Sequence, residues 1–133
     1  MAFTHKDIIK AVKDGDLALV QQILESDPSL LESADPDGAR PLHFACWKGH
    51  TEIVAYLLNQ GADITAQNPG NTHWGGTPLH VTAHANNRPA ALLLLQRGAD
   101  VHSISANGRT PLQETELHKA TAVAKLLREH GAA

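Results

Sequence analysis

The chain has few of the residues that crosslink a fold or bind a charged polymer. It has one cysteine, 4% of its 133 residues are aromatic, and its formal net charge at pH 7 is only −3. A single cysteine excludes an internal disulfide framework and is typical of a reducing compartment, so we expect a cytoplasmic protein. Charge of mixed sign provides no basic stripe for a phosphate backbone, which argues against nucleic acid as a partner.

Long apolar runs and catalytic motifs are also missing. The longest apolar run, 90–95, is followed by Gln96 and Arg97, whereas a transmembrane helix needs about 20 apolar residues. The beginning, MAFTHKDIIK, lacks the apolar core of a signal peptide. Neither a phosphate-binding Gly-rich loop nor a Gly-x-Ser-x-Gly elbow is present. We therefore expect no membrane partner, no cofactor and no enzymatic activity.

Three stretches of the chain align with one another without a gap. They are RPLHFACWKGHTEIVAYLLNQGAD (40–63), TPLHVTAHANNRPAALLLLQRGAD (77–100) and TPLQETELHKATAVAKLLREHGAA (110–133). In each stretch the distance from the proline to the closing glycine is 20 residues. Self-similarity of this kind predicts stacked supersecondary units, which bind through a long exposed face rather than a deep cavity.

Each stretch has the pattern of two short helices. Pro41 suits the first turn of a helix, and Gly49 can end that helix in a left-handed conformation. Thr51 is a candidate N-cap for a second helix, which Gly61 would end. The second helix carries an apolar stripe, formed by Ile53, Val54, Leu57 and Leu58.

The other units follow the same plan with local changes. We predict a second helix over 88–96 in the third unit, and a capping box between Thr110 and Gln113 in the fourth. A first unit emerges when Gly15 is aligned with Gly49, and its polar first helix suits a terminal unit that has no neighbour on one side. The predicted units cover about 4–34, 35–67, 68–104 and 105–133.

These units resemble ankyrin repeats, whose pattern is Gly-x-Thr-Pro-Leu-His-x-Ala-Ala-x-x-Gly-His-x-x-Ile-Val-x-x-Leu-Leu-x-x-Gly-Ala-Asp. The resemblance covers essentially the whole chain and implies an all-α solenoid of four helix-turn-helix units joined by hairpin-like loops. Departures include Asn86-Asn87 and Lys119-Ala120 in place of Gly-His, which we expect to weaken local capping.

The spacing of the units shows one insertion. Pro78 follows Pro41 by 37 residues, whereas Pro111 follows Pro78 by 33, so four extra residues lie in the loop 67–76. Its sequence, QNPGNTHWGG, is rich in turn residues and predicts a protruding hairpin-like tip that carries His73 and Trp74. Trp74 either contacts a partner or folds back onto a neighbouring helix.

The resemblance also implies a binding surface. In ankyrin-repeat proteins, partners typically contact the loop tips and the exposed side of each first helix, which together form a concave face. Lys13 and Asp14 are the positions that can be assigned in the first unit. Carried over to this chain, the predicted protein-binding residues are Trp47, Lys48, His73, Trp74, His84, Arg109, Leu117 and His118. Tryptophan and arginine often dominate interface energies, although Trp47 could instead cover the gap between adjacent repeats.

Nine histidines suggest an alternative site for a metal or other ligand. His80 and His84 are one helical turn apart, and His73 could approach them from the loop. The resemblance, however, implies that His80 bonds to the Thr77 hydroxyl and nearby backbone instead. His43 is expected to make the equivalent bonds in its own unit. Cys46 lies three residues after His43, like a nucleophile and its base, but it occupies a core position where a buried thiol is inert.

We therefore expect a non-enzymatic, monomeric protein-binding module, an adaptor or an inhibitor, without cofactor or metal. The alternatives are a ligand- or metal-responsive module using His73, His80 and His84, and a generic structural scaffold. Because His73, His84 and His118 share the predicted face, their protonation near pH 6 would make binding pH-dependent.

Overall fold

The computed structural model describes residues 2–68 and 75–133. Within these ranges the chain forms eight α-helices and one short 3₁₀ helix, Pro28–Glu32. The α-helices are α1 (His5–Asp14), α2 (Leu17–Ser26), α3 (Pro41–Lys48), α4 (Thr51–Asn59), α5 (Pro78–Ala85), α6 (Arg88–Gln96), α7 (Pro111–His118) and α8 (Thr121–Glu129). The all-α prediction is confirmed, and the helix predicted over 88–96 has the predicted bounds.

The helices form two layers of stacked units. Helices α1, α3, α5 and α7 pack side by side in the first layer, and α2, α4, α6 and α8 form the second. Each first-layer helix also packs against the second-layer helix that follows it. The core lies between the layers, where each fully buried aliphatic side chain contributes about 1.5–3 kcal/mol. It includes Val12, Val20, Ile23, Val54, Leu57, Leu79, Leu94 and Leu127.

Helix ends follow the repeat pattern with two substitutions. Gly49 ends α3 with φ 73°, as predicted, whereas Asn86 and Lys119 occupy the same left-handed position after α5 and α7 with φ 58° and 56°. The predicted capping box of α7 is present, because Thr110 N donates to Gln113 Oε1 at 2.8 Å and Gln113 N donates to Thr110 Oγ1 at 3.2 Å. The prediction for Thr51 was wrong by one residue, since His50 is the N-cap of α4.

Loops between units close as small antiparallel turns. Asp35 N donates to Ala39 O at 3.0 Å, and Ser105 N donates to Arg109 O at 2.8 Å. In the inserted loop, Asn68 and Gly76 exchange two backbone bonds of 2.8 and 3.0 Å. His73 and Trp74, which we predicted at the tip of this loop, lie outside the described residues.

Side chains form hydrogen bonds between adjacent units at both ends of the first-layer helices. Near the beginning of α3, His43 Nε2 donates to Ala66 O and Gly76 O at 3.0 and 3.1 Å. At the C-terminal ends, His50 Nε2 lies 3.1 Å from Lys13 O, and Asn87 Nδ2 donates to Cys46 O and Trp47 O at 2.6 and 2.9 Å. Asn87 thus bonds to the C-terminal end of α3 in the way that His50 bonds to the C-terminal end of α1 one unit earlier.

Candidate functional site

Six of the eight predicted binding residues lie within the described ranges, and all six are on the first-layer side. Trp47 and Lys48 end α3, His84 lies near the end of α5, and Leu117 and His118 end α7. Arg109 precedes α7 in the loop closed by Ser105. These residues lie on a surface bordered by the hairpin loops, which we call the first-layer face.

Trp47 is half-buried and packs against the core, and the side chain of Lys48 lies over its ring. The ammonium of Lys48 lies 4.6 Å from the ring centroid, within the range of a cation–π contact. Trp47 therefore has a packing role and an accessible part at once. Its packing against the core agrees with the packing interpretation, and contact of Trp47 with a partner stays a prediction.

A groove lies at the N-terminal end of the first-layer face. It has a volume of about 480 Å³ and lies between α1 and the loop at Asp35 and Pro36, with Phe44 in its wall. Lys13 Nζ lies 4.9 Å from the centroid of the Phe44 ring. Sequence analysis assigned Lys13 and Asp14 to this end but missed Phe44, whose position inside the Pro-Leu-His-x-Ala signature was the available signal.

At the opposite end, two histidines and a glutamate from neighbouring units converge. His84 Nδ1 lies 2.9 Å from His118 Nε2, and the two rings are in edge contact with centroids 3.9 Å apart. Glu114, one helical turn before His118, has a side chain that is only 7% exposed. Its Oε2 lies 3.4 Å from His118 Nε2, and its Oε1 lies 3.4 Å from Arg109 Nη1.

The predicted ligand set of His73, His80 and His84 is not the one that the structure assembles. His80 is fully buried, its Nδ1 accepts a bond from Thr77 N at 3.1 Å, and its Nε2 donates to Arg109 O at 2.8 Å. With both ring nitrogens engaged, His80 is not available as a ligand beside His84. That part of the alternative is wrong, and the bonding expected of His80 from the resemblance is confirmed.

Burial also sets the protonation of the two signature histidines. It lowers the pKa of His43 and that of His80 below the ordinary value of 6.5, although their backbone bonds act in the opposite direction. Both imidazoles are therefore neutral at pH 7. Neutral rings fit the observed pattern, in which one nitrogen accepts a bond and the other donates one.

Cys46 is fully buried in the core. Burial raises the pKa of its thiol far above the ordinary value, so the reactive thiolate is not populated at neutral pH. The ring of His43 bonds to Arg40 N through Nδ1 and to backbone carbonyls through Nε2. This geometry gives the Cys–His nucleophile interpretation no support.

The most exposed large hydrophobic side chains lie in the C-terminal part of the chain. Over 2–68 and 75–133, the exposed large hydrophobic side chains are Leu117 at 56% and Ile104 at 54%. Leu117 lies on the first-layer face beside His118, and Ile104 lies in the preceding loop. No helix in these ranges has the length and apolar character required to cross a bilayer.

Two sequence families match the chain. The family described as ankyrin repeats (3 copies) matches residues 7–68, and the family described as ankyrin repeats (many copies) matches residues 48–95. Together these matches extend from the first unit into α6.

Curated relatives share the repeats over most of this chain. Ankyrin repeat and SAM domain-containing protein 6 of Mus musculus is 36% identical over 78% of the chain, and a probable E3 ubiquitin-protein ligase, XBOS33, of Oryza sativa subsp. japonica is 36% identical over 79%. Diacylglycerol kinase iota of Homo sapiens is 32% identical over 82%. The chain spans only 11%, 20% and 10% of the lengths of these three relatives.

Proposed function

Because the chain belongs to the ankyrin-repeat family, we propose that it is a protein-binding module, an adaptor or an inhibitor, that engages its partner with the first-layer face and the loop tips. Ankyrin repeats are generally protein–protein interaction modules and are typically non-enzymatic. The proposal includes action as a cytoplasmic monomer. The proposal does not include the enzymatic activities named for two relatives, since the chain corresponds to a fifth or less of those proteins.

The exposure of Leu117 on the first-layer face is the observation that carries this proposal. The 56% of the Leu117 surface that stays exposed contributes nothing to folding, whereas a partner could bury it. The accessible part of Trp47 lies two units earlier on the same face. Tryptophan is among the residue types that most often dominate interface energies, and Leu117 adds apolar area on the same rigid surface.

Rigidity supports the same interpretation. The first-layer helices are bonded to their neighbours by His43 and His80 near one end and by His50 and Asn87 at the other. A surface that is already ordered loses little conformational entropy when a partner binds. The groove beside Phe44 extends the available contact area to the N-terminal end.

The experiment compares partner capture by three forms of the protein. The wild type, the double variant Trp47→Ala/Leu117→Ala and the control Tyr56→Ala are immobilised through the N-terminus and exposed to an extract of the source cells. Tyr56 is a half-buried aromatic residue of α4, in the second layer. The control therefore removes a partly exposed aromatic side chain from the opposite side.

We expect a protein that wild type and Tyr56→Ala retain and the double variant does not. The Kd of the isolated complex should rise at least about 30-fold in the double variant, equivalent to the 2 kcal/mol of one interface hot spot. Equal retention by all three forms would reject the first-layer face. Adding Trp74→Ala to the series tests the inserted loop separately.

A further inference from the structure

We propose that His84, Glu114 and His118 form a binding site for a divalent transition-metal ion, of which Zn²⁺ is the representative. One ligand atom from each residue lies within 4.8 Å of the other two. Two imidazoles and one carboxylate are a ligand set that zinc uses in proteins, with water in the fourth position. The proposal does not rest on partner binding, although His84 and His118 also lie on the first-layer face, and it concerns residues of two adjacent units.

The backbone places these ligands without strain. Glu114 and His118 are four residues apart on α7, which puts both on one face of the helix. His84 comes from the neighbouring α5, which packs directly against α7. A bound ion would therefore crosslink two adjacent units, because its ligands come from both α5 and α7.

The three ligand atoms lie within 4.8 Å of one another, so the side chains must adjust to hold a metal. Tetrahedral zinc with bonds of about 2.0–2.1 Å holds its ligand atoms about 3.3 Å apart. The separation of His118 Nε2 and Glu114 Oε2 is 3.4 Å, while His84 Nδ1 and His118 Nε2 are 2.9 Å apart. The two rings must diverge slightly so that both lone pairs face the ion. Since 31% of the His118 side chain is exposed, its ring has room to move.

The state of Glu114 points to a ligand. Burying a carboxylate is costly unless strong partners compensate for the lost hydration. The side chain is only 7% exposed, yet its two nitrogen neighbours, Arg109 and His118, are both 3.4 Å away. Charge-assisted bonds between ions are usually about 2.7–2.9 Å long. An ion bound at Oε2 would compensate the charge at shorter range and leave Arg109 to orient Oε1.

Ligand chemistry determines which ion fits. Imidazole nitrogens suit borderline metals such as Zn²⁺, Ni²⁺ and Cu²⁺, whereas Mg²⁺ prefers oxygen ligands in octahedral geometry. We therefore expect discrimination against Mg²⁺.

The test uses the full chain without a polyhistidine tag, titrated with ZnCl₂ or MgCl₂ by calorimetry at pH 7.5. Variants are His118→Ala, His84→Ala and Glu114→Gln, and His102→Ala is the control because it removes an exposed imidazole from the preceding loop. Loss of an outer-sphere partner alone weakens metal binding about 10–100-fold. We expect loss of a direct ligand to raise the zinc Kd by more than about 10-fold, with His102→Ala unchanged.

A second measurement keeps the proposal testable if a variant is poorly folded. In nitrogen NMR spectra of the wild-type protein, one equivalent of zinc should shift the ring resonances of His84 and His118 and leave that of His102 in place. The proposal is overturned by the absence of stoichiometric zinc binding, by equal effects of magnesium and zinc, or by binding that survives both His118→Ala and Glu114→Gln.

Discussion

Replacing His80 with glutamine should change how the stability of the fold depends on pH. Glutamine is the appropriate substitution because the fourth unit already carries Gln113 at this position, where Gln113 Oε1 accepts from the backbone nitrogen of the cap residue. The variant should keep the bond to Thr77 N and lose the bond to Arg109 O. Loss of one such bond costs about 1 kcal/mol, so we expect His80→Gln to be less stable at pH 7.5 by roughly that amount.

The pH dependence has a defined sign. Burial lowers the pKa of His80 in the folded protein below the value of 6.5 that applies to an exposed ring. As the pH falls below 6.5, the unfolded chain takes up a proton before the folded chain does. The contribution of the neutral ring is therefore complete above pH 6.5 and is lost as the pH falls toward the folded pKa. Each such ring reduces the free energy of unfolding by up to about 1.4 kcal/mol per pH unit.

Urea unfolding followed by circular dichroism at pH 7.5, 6.5 and 5.5 measures this effect. His43 contributes in the same direction, so the wild type should lose stability with up to twice the single-ring slope. The stability of wild type relative to His80→Gln, higher by about 1 kcal/mol at pH 7.5, should fall by up to about 1.4 kcal/mol between pH 6.5 and 5.5, which is enough to remove or reverse the difference.

A control separates burial from the mere presence of a histidine. His102 is exposed, so His102→Gln should follow the wild-type curve at every pH. Parallel curves for wild type and His80→Gln over this range would refute the argument that a buried neutral ring controls acid stability.

Two further predictions concern backbone conformation. Lys119→Gly should stabilise the protein by about 1 kcal/mol, because lysine is strained at a φ of 56°, whereas Lys125→Gly in the middle of α8 should destabilise it by a similar amount. Gly76→Ala should cost clearly more than Gly61→Ala: both sites have positive φ, but a Cβ at Gly76 would lie 2.7 Å from the His80 ring, and nothing lies within 4 Å at Gly61. Chemical denaturation measures both comparisons, and equal costs at the two glycines would contradict the second.

The repeat pattern made the fold predictable because each helix boundary has a local cause. Pro41 and Gly49 mark the ends of α3 through their own backbone preferences, and the apolar stripe of α4 follows from helical periodicity. These are short-range effects, so they can be recognised in the sequence. The bonds made by His80 were also predictable, since they belong to the same repeating unit.

The cluster of His84, Glu114 and His118 was only partly predictable. The sequence placed both histidines on one face, and the spacing of Glu114 and His118 was a visible signal for a shared helix face. Their approach to His84 depends on how α5 and α7 stack, which is a tertiary property. The sequence instead favoured His80 as the partner of His84, because spacing along one helix does not reveal which side chain is buried.

The burial of Cys46 has a consequence for how the stability of single units can be measured. It is the one cysteine of the chain and it is fully buried in α3, so a thiol reagent can reach it only when the surrounding structure opens. If reclosing is faster than reaction, the labelling rate reports the free energy of that opening. The natural thiol thus serves as a reporter for opening of the second unit, and the rate under native conditions reveals whether this unit opens alone or only when the whole array unfolds.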